Sequence, residues 1–157
     1  MTSTIHNEAD RVPYWHQRVS QALESDLERR FAAYGVTASQ FRLLAALARR
    51  DANTVRGLAA ALRLDAGAVT RLADRLEAKG LVRREPDPTD GRSVRLLLSA
   101  TGWELVPRLD AEASAHERDW FGSLSFAELR QYKASIAKLL QRAGAGPDEV
   151  WLRRELY

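Results

Sequence analysis

The sequence predicts a mainly α-helical fold carrying one small β-hairpin. Three observations lead there. Apolar side chains recur at helical spacing over most of the 157 residues. Capping residues (Thr37, Thr54, Asp65, Ser99 and Ser125) stand just ahead of those periodic stretches. One segment breaks the pattern: LVRREP and SVRLLLS are short and extended in character, and they flank PDPTDGR, a turn sequence between two strands.

Composition narrows the classes. The chain is 45% hydrophobic and 29% charged, so it should fold rather than stay disordered. Its apolar runs are too short to span a bilayer. The opening MTSTIHNEADRV lacks the basic start and apolar stretch of a secretory signal, so a reducing cytoplasm is the expected location. With no cysteine, disulfides, thiolate metal sites and thiol redox sensing are excluded. Only His6, His16 and His116 are available as histidines, and they form no compact cluster with carboxylates. Neither a metal site nor a cofactor is expected, and no nucleophile or paired-carboxylate constellation supports an enzyme.

Each element has its own signal. The first helix begins near Pro13, a residue tolerated in an opening turn, and carries a stripe of Trp15, Val19, Leu23, Leu27 and Phe31 up to Gly35. Thr37 and Gln40 form a T-x-x-Q capping box for the second helix, whose apolar face is Phe41, Leu44, Ala45 and Ala48. Thr54 caps a short third helix with Leu58, Ala59 and Leu62 inward. Asp65 caps a fourth, running to Lys79 with Gly80 as its stop and Leu64 stapling onto Val69. After the hairpin, Ser99 caps a fifth helix to about Phe121, which Pro107 should kink or open. Ser125 and Glu128 form a second capping box, with Leu124 and Leu129 as a staple, for a sixth helix ending near Gly144. The tail GPDEVWLRRELY reads either as a short docked helix or as mobile.

The order helix, short helix, turn, longer helix, hairpin is that of a winged helix-turn-helix over residues 37–98. The second helix of such a pair lies in the major groove of DNA. Here Val69, Leu72, Ala73 and Leu76 fall on one side of it, and Gly67, Thr70, Arg71 and Asp74 on the other. Small residues at 66–68 would let the backbone approach DNA closely. Arg71 could reach a phosphate or a guanine edge, and Arg75 suits a backbone contact. Alone, this helix reads better as an ordinary amphipathic helix with a solvated charged face. The hairpin tips the balance, because Arg83, Arg84, Arg92 and Arg95 surround its turn, and arginine at a wing tip can enter the narrow minor groove. Asp90 could steady Arg92 through a charge-assisted hydrogen bond, besides favouring the Asp-Gly turn. Charge agrees: residues 50–99 carry 10 basic and 7 acidic side chains, whereas residues 100–157 carry 8 and 9.

Several segments resemble the MarR family of bacterial regulators. AVTRLADRLEAKGLVRR is similar to that family's recognition helix and first wing strand. DPTDGRSVRLLLSATG matches its D-x-R wing signature through Asp90 and Arg92, and GVTASQFRLLAAL its usual start of the second helix. The likeness covers about residues 12–142. Gly91 departs from it, since many members carry a second basic residue there.

The resemblance implies a sequence-specific regulator, most often a repressor, acting as a homodimer on palindromic double-stranded DNA. The DNA-contacting residues would be Gly67, Thr70, Arg71, Arg75, Arg92 and Arg95, supported by Asp90. Helices from both ends of the chain, residues 1–36 and 99–145, would form the dimer, leaving 146–157 as a tail. Trp103, Trp120, Phe121, Tyr132 and Trp151 are candidates for the dimer core or, equally, for plain intramolecular core. The family also implies a site for a small aromatic ligand between dimer region and winged module. Tyr14, Trp15, His16 and Phe41 are the side chains expected near it, and His16 could approach His116. The competing expectation is a protein-interaction module on the same scaffold without a DNA site.

Overall fold

The computed structural model describes residues 7–88 and 93–144. Six helices and one antiparallel hairpin follow in order: α1 (Val12–Ala32), α2 (Ala38–Arg49), α3 (Val55–Leu62), α4 (Ala66–Ala78), β1 (Val82–Pro86), β2 (Val94–Leu98), α5 (Ala100–Phe121) and α6 (Phe126–Arg142). A 3-10 turn, Glu8–Asp10, precedes α1. The chain packs as two compact units, Met1–His116 and Glu117–Tyr157, with α5 running from the first into the second. Among the described residues, no helix is long and apolar enough to cross a membrane.

The caps act as the sequence suggested. Thr37 Oγ1 accepts from Gln40 N at 3.2 Å, and Gln40 Oε1 accepts from Thr37 N at 3.2 Å, completing the box. Thr54 and Asp65 accept from Gly57 N and Ala68 N at 3.1 and 2.8 Å. Each satisfies an amide that the helix cannot, worth about 1 kcal/mol. At the opposite ends, Arg50 and Arg63 take left-handed backbone at φ 61° and 54°, positions usually held by glycine.

α2 is the centre of the first unit. Beyond the single face read from the sequence, Ala38, Gln40, Leu43, Ala46 and Leu47 are also buried. The helix is enclosed by α1, α3, α4 and β2, so the one-face reading is corrected. Phe31, Leu58, Val69, Leu76, Leu96 and Leu109 close around it with no exposed surface. Burying a side chain of this size contributes about 1.5–3 kcal/mol. Leu64 does not join them. It stays 39% exposed.

α1 departs from the expected stripe. Phe31 is buried and Leu27 packs against the core, but Trp15 and Val19 are 55% and 44% exposed. The helix has 21 residues, roughly 31 Å at 1.5 Å per residue, longer than the layer beneath it. Its C-terminal half meets the core, and among the described residues its N-terminal half packs chiefly against the 3-10 turn, where Trp15 Nε1 donates to Ala9 O. α5 runs continuously through Pro107, with the proline inside it rather than at its start. Proline there removes only the amide that would bond the Trp103 carbonyl, and the apolar neighbours Leu105, Val106 and Leu109 pack against the core on either side of the defect.

A joint of main-chain atoms ties α5 to the turn after α4. Ser99 N donates to Leu81 O at 3.0 Å, and Ser99 Oγ donates to Gly80 O at 2.6 Å. The same hydroxyl caps α5 by accepting from Gly102 N at 3.0 Å. Gly102 lies so near the Leu81 carbonyl that any Cβ would collide with it.

In the second unit, Ser125 and Glu128 form the expected capping box. Leu129, Lys133 and Ala137 bury one face of α6, and Phe121 stacks at a tilt on Tyr132, centroids 5.8 Å apart. The Glu128 carboxyl sits below the ordinary glutamate range, chiefly because the Ser125 hydroxyl, and then the Ser125 amide, donate to it.

Candidate nucleic-acid interface

α4 turns two different faces to its surroundings. Val69, Ala73 and Leu76 are buried beneath it, as expected, with Leu72 half-buried. Gly67, Thr70, Arg71, Asp74 and Arg75 are all exposed on the other side. The side chains of Arg71 and Arg75 form no hydrogen bond or ion pair among the described residues. The Arg71 guanidinium lies over Gly67, with Nη1 3.3 Å from where a Cβ on that residue would stand. Glycine at 67 therefore leaves room for the arginine as well as for a close neighbour outside. The Thr70 hydroxyl is engaged within the helix, donating to Ala66 O at 2.9 Å.

The hairpin follows directly. Val82 pairs with Leu98, Arg84 with Leu96 and Pro86 with Val94 in antiparallel register. Asn53 and Thr54 add a short edge to β2: Leu96 N donates to Asn53 O at 2.7 Å, and Thr54 bridges to Arg95. The hairpin is thus anchored to the start of α3 on one side and to α4 on the other. Thr89, Asp90, Gly91 and Arg92 lie outside the described residues, so the expected Asp90–Arg92 pair is neither seen nor contradicted.

The other arginines of the hairpin divide sharply. Arg83 pairs with Glu85 along the same strand. Arg84 reaches back to α4, bonding Asp74 Oδ1 at 2.6 Å and also Glu77. The Asp74 hydrogen bond raises the guanidinium above its ordinary range, outweighing the opposing cost of burial, with the charges of Glu77 and Asp74 adding to it. Arg95 is half-buried, and its Nε is buried with no hydrogen-bond partner among the described residues. So Arg83 and Arg84 are committed to carboxylates of the protein itself, which sequence reasoning missed. The signal was present in the spacing: Asp74 and Glu77 lie one turn apart on the helix that feeds β1.

The residues expected near a ligand do not converge. Tyr14 and Trp15 meet edge to face at 5.2 Å, and Trp15 Nε1 donates to Ala9 O at 2.8 Å, all at the N-terminal end of α1. Phe41 instead packs on Phe31, centroids 4.9 Å apart, at the other end of that helix. His16 is exposed and His116 buried. The His116 ring nitrogen sits 3.0 Å from Leu23 O and 3.7 Å from Asp26, roughly 10–15 Å along α1 from His16, so the two do not approach.

Comparison with known proteins bears on this geometry. A model of the MarR family matches residues 34–93, which takes in the helix-turn-helix, the first wing strand and the wing turn. The HTH-type transcriptional regulator PecS of Dickeya dadantii is 32% identical over 125 residues, covering 78% of this chain and 75% of PecS. The chain belongs to the MarR family. Within that family, the multiple antibiotic resistance protein MarR of Escherichia coli is 34% identical over 101 residues, 64% of this chain and 70% of that protein. Two solved structures extend the likeness to DNA-bound states. A mutant MarR from E. coli complexed with operator DNA has a TM-score of 0.74 at 27% identity, covering 90% of this chain and 99% of its own. A MepR–DNA complex from S. aureus has a TM-score of 0.78 at 25% identity, covering 84% and 98%. This MarR-family chain is a winged-helix, DNA-binding transcriptional regulator, and the relatives named are regulators or their DNA complexes.

Proposed function

We propose that the chain is a repressor that binds a palindromic operator as a homodimer and is released by a small aromatic molecule. The observation that carries the DNA side of this reading is the outer face of α4, where the Arg71 and Arg75 side chains stand exposed, without a partner among the described residues, beside the small Gly67. Arg71 would read a guanine edge or hold a phosphate, and Arg75 would hold the backbone. Thr70, its hydroxyl already turned to Ala66 O, offers its methyl to a thymine methyl. Arg92 would enter the minor groove, steadied by Asp90, with Arg95 behind it on β2.

Residues 37–98 would read DNA, and residues 1–36 with 99–145 would join two copies. Support for the second role comes from the uncovered apolar side chains on the outer helices: Val12, Trp15 and Val19 on α1, Trp103 on α5, Phe126 and Leu139 on α6. Trp120, Phe121 and Tyr132 are only half-buried in one chain, and Trp151 lies outside the described residues. Tyr14, Trp15 and His16 remain the side chains proposed to meet an aromatic effector, and Phe41, at the far end of α1, is set apart from them.

Selection of bound fragments from the source genome tests the reading. Two inverted half-sites about 10–10.5 base pairs apart, centre to centre, are expected. Fragments without a shared motif would overturn it in favour of a protein-interaction role.

A further inference from the structure

Asp74 and Glu77 pose a problem for any helix that lies in a DNA groove. Both are exposed and negative, and both stand on the helix that carries Arg71 and Arg75. Phosphate repulsion should make them costly there. Arg84 answers both at once. From β1 it spans to α4, bonding Asp74 at 2.6 Å and Glu77 one turn later, while its own side chain is only 29% exposed. It is the one arginine of the described hairpin that bonds to another element, and both of its partners belong to α4.

We infer that Arg84, Asp74 and Glu77 form a clamp that fixes the angle between recognition helix and wing, so that major-groove and minor-groove contacts are made together. The inference rests on the proposed DNA reading of α4 and the hairpin. Arg84 is then a positioning residue that touches no DNA, and the two carboxylates are retained because they hold it. A rigid pair of reading elements has its ordering cost met before DNA arrives.

The clamp inverts an electrostatic expectation, which makes it testable. Removing negative charge from a DNA-facing helix should tighten binding. If the clamp operates, Asp74→Asn with Glu77→Gln weakens it instead. We expect that double variant and Arg84→Met each to lose about tenfold in affinity for a labelled duplex selected from a random pool by the unsubstituted protein. The slope of log K against log salt should be unchanged in both, since every phosphate keeps its partner. Tighter binding by the acid-neutralised variant would overturn the inference. So would a slope shallower by about 0.9 in Arg84→Met, the mark of a direct phosphate contact. Unchanged affinity with a lowered melting temperature would reduce the trio to a plain structural brace and also overturn it.

A second measurement needs no DNA. In the free protein, amide exchange at Val82–Glu85 should quicken in both variants while the α2 amides keep their protection. Unchanged exchange at β1 overturns the clamp whatever the duplex does. Failure of the DNA reading itself shows elsewhere, as the absence of any sequence-selective duplex binding by the unsubstituted protein.

Discussion

Arg71 and Arg84 carry the same group and do opposite things with it. The Arg71 guanidinium bonds to none of the described residues, and the Arg84 guanidinium bonds to two carboxylates. Counting arginines near a turn could not separate them, because the difference lies in what stands within reach after folding. Arg92 belongs with Arg71 in the proposed scheme. Arg92→Ala should weaken binding across all sequences and lower the salt slope by about 0.9, read in a gel-shift titration at several ionic strengths. Thr70→Ala or Arg71→Ala should alter sequence preference instead, by about 1–3 kcal/mol for each base that is no longer read. A quieter residue matters as much to the fold. Gly102 gives no periodic or capping signal of its own, yet a side chain there would strike the Leu81 carbonyl. Gly102→Ala should destabilise by about 1–3 kcal/mol in urea unfolding, as overpacked sites do. No local sequence rule shows which glycine a backbone will approach.

Among the elements, boundaries set by capping were legible and exposure was not. Thr37, Thr54, Asp65 and Ser125 each sit one residue before the helix they start, because capping needs only neighbours in sequence. The enclosure of α2 and the exposed N-terminal half of α1 depend on what packs from far along the chain, and periodicity cannot report that. The α6 cap gives a pH prediction. A carboxyl whose pKa is depressed on folding stabilises the folded state above its unfolded pKa of about 4.3, and that contribution disappears as pH falls through the lower, folded value. A carbon-detected NMR titration should place the Glu128 midpoint under the ordinary value. Ser125→Ala should move it back up, since the hydroxyl is the main cause of the depression. A midpoint that ignores the substitution would show that the cap does not hold the carboxylate in solution.

For the whole molecule, the fold class and the family were readable because caps, hairpin and wing signature all agree within residues 37–98. The proposed second copy rested on the resemblance and on two-fold reading of palindromes, and the apolar side chains exposed on α1 support it. Val19→Glu should shift the chain towards monomer at micromolar concentration in light scattering, and should weaken operator binding without touching α4. A variant that stays dimeric would place the interface away from this part of α1. The proposed effector site drew least support from the fold, since Tyr14–His16 and Phe41 were grouped by helix proximity and lie at opposite ends of α1.

The joint between α5 and the Gly80–Leu81 turn has a consequence for how such a regulator can diversify. Apart from one serine hydroxyl, it is built from main-chain carbonyls, an amide and a glycine Cα. It behaves like a flange to which either half can be bolted. Exposed side chains on α4 can change without altering how the start of α5 bears on the turn that follows α4. The reading face is thereby free to drift, so long as Ser99 and Gly102 stay in place.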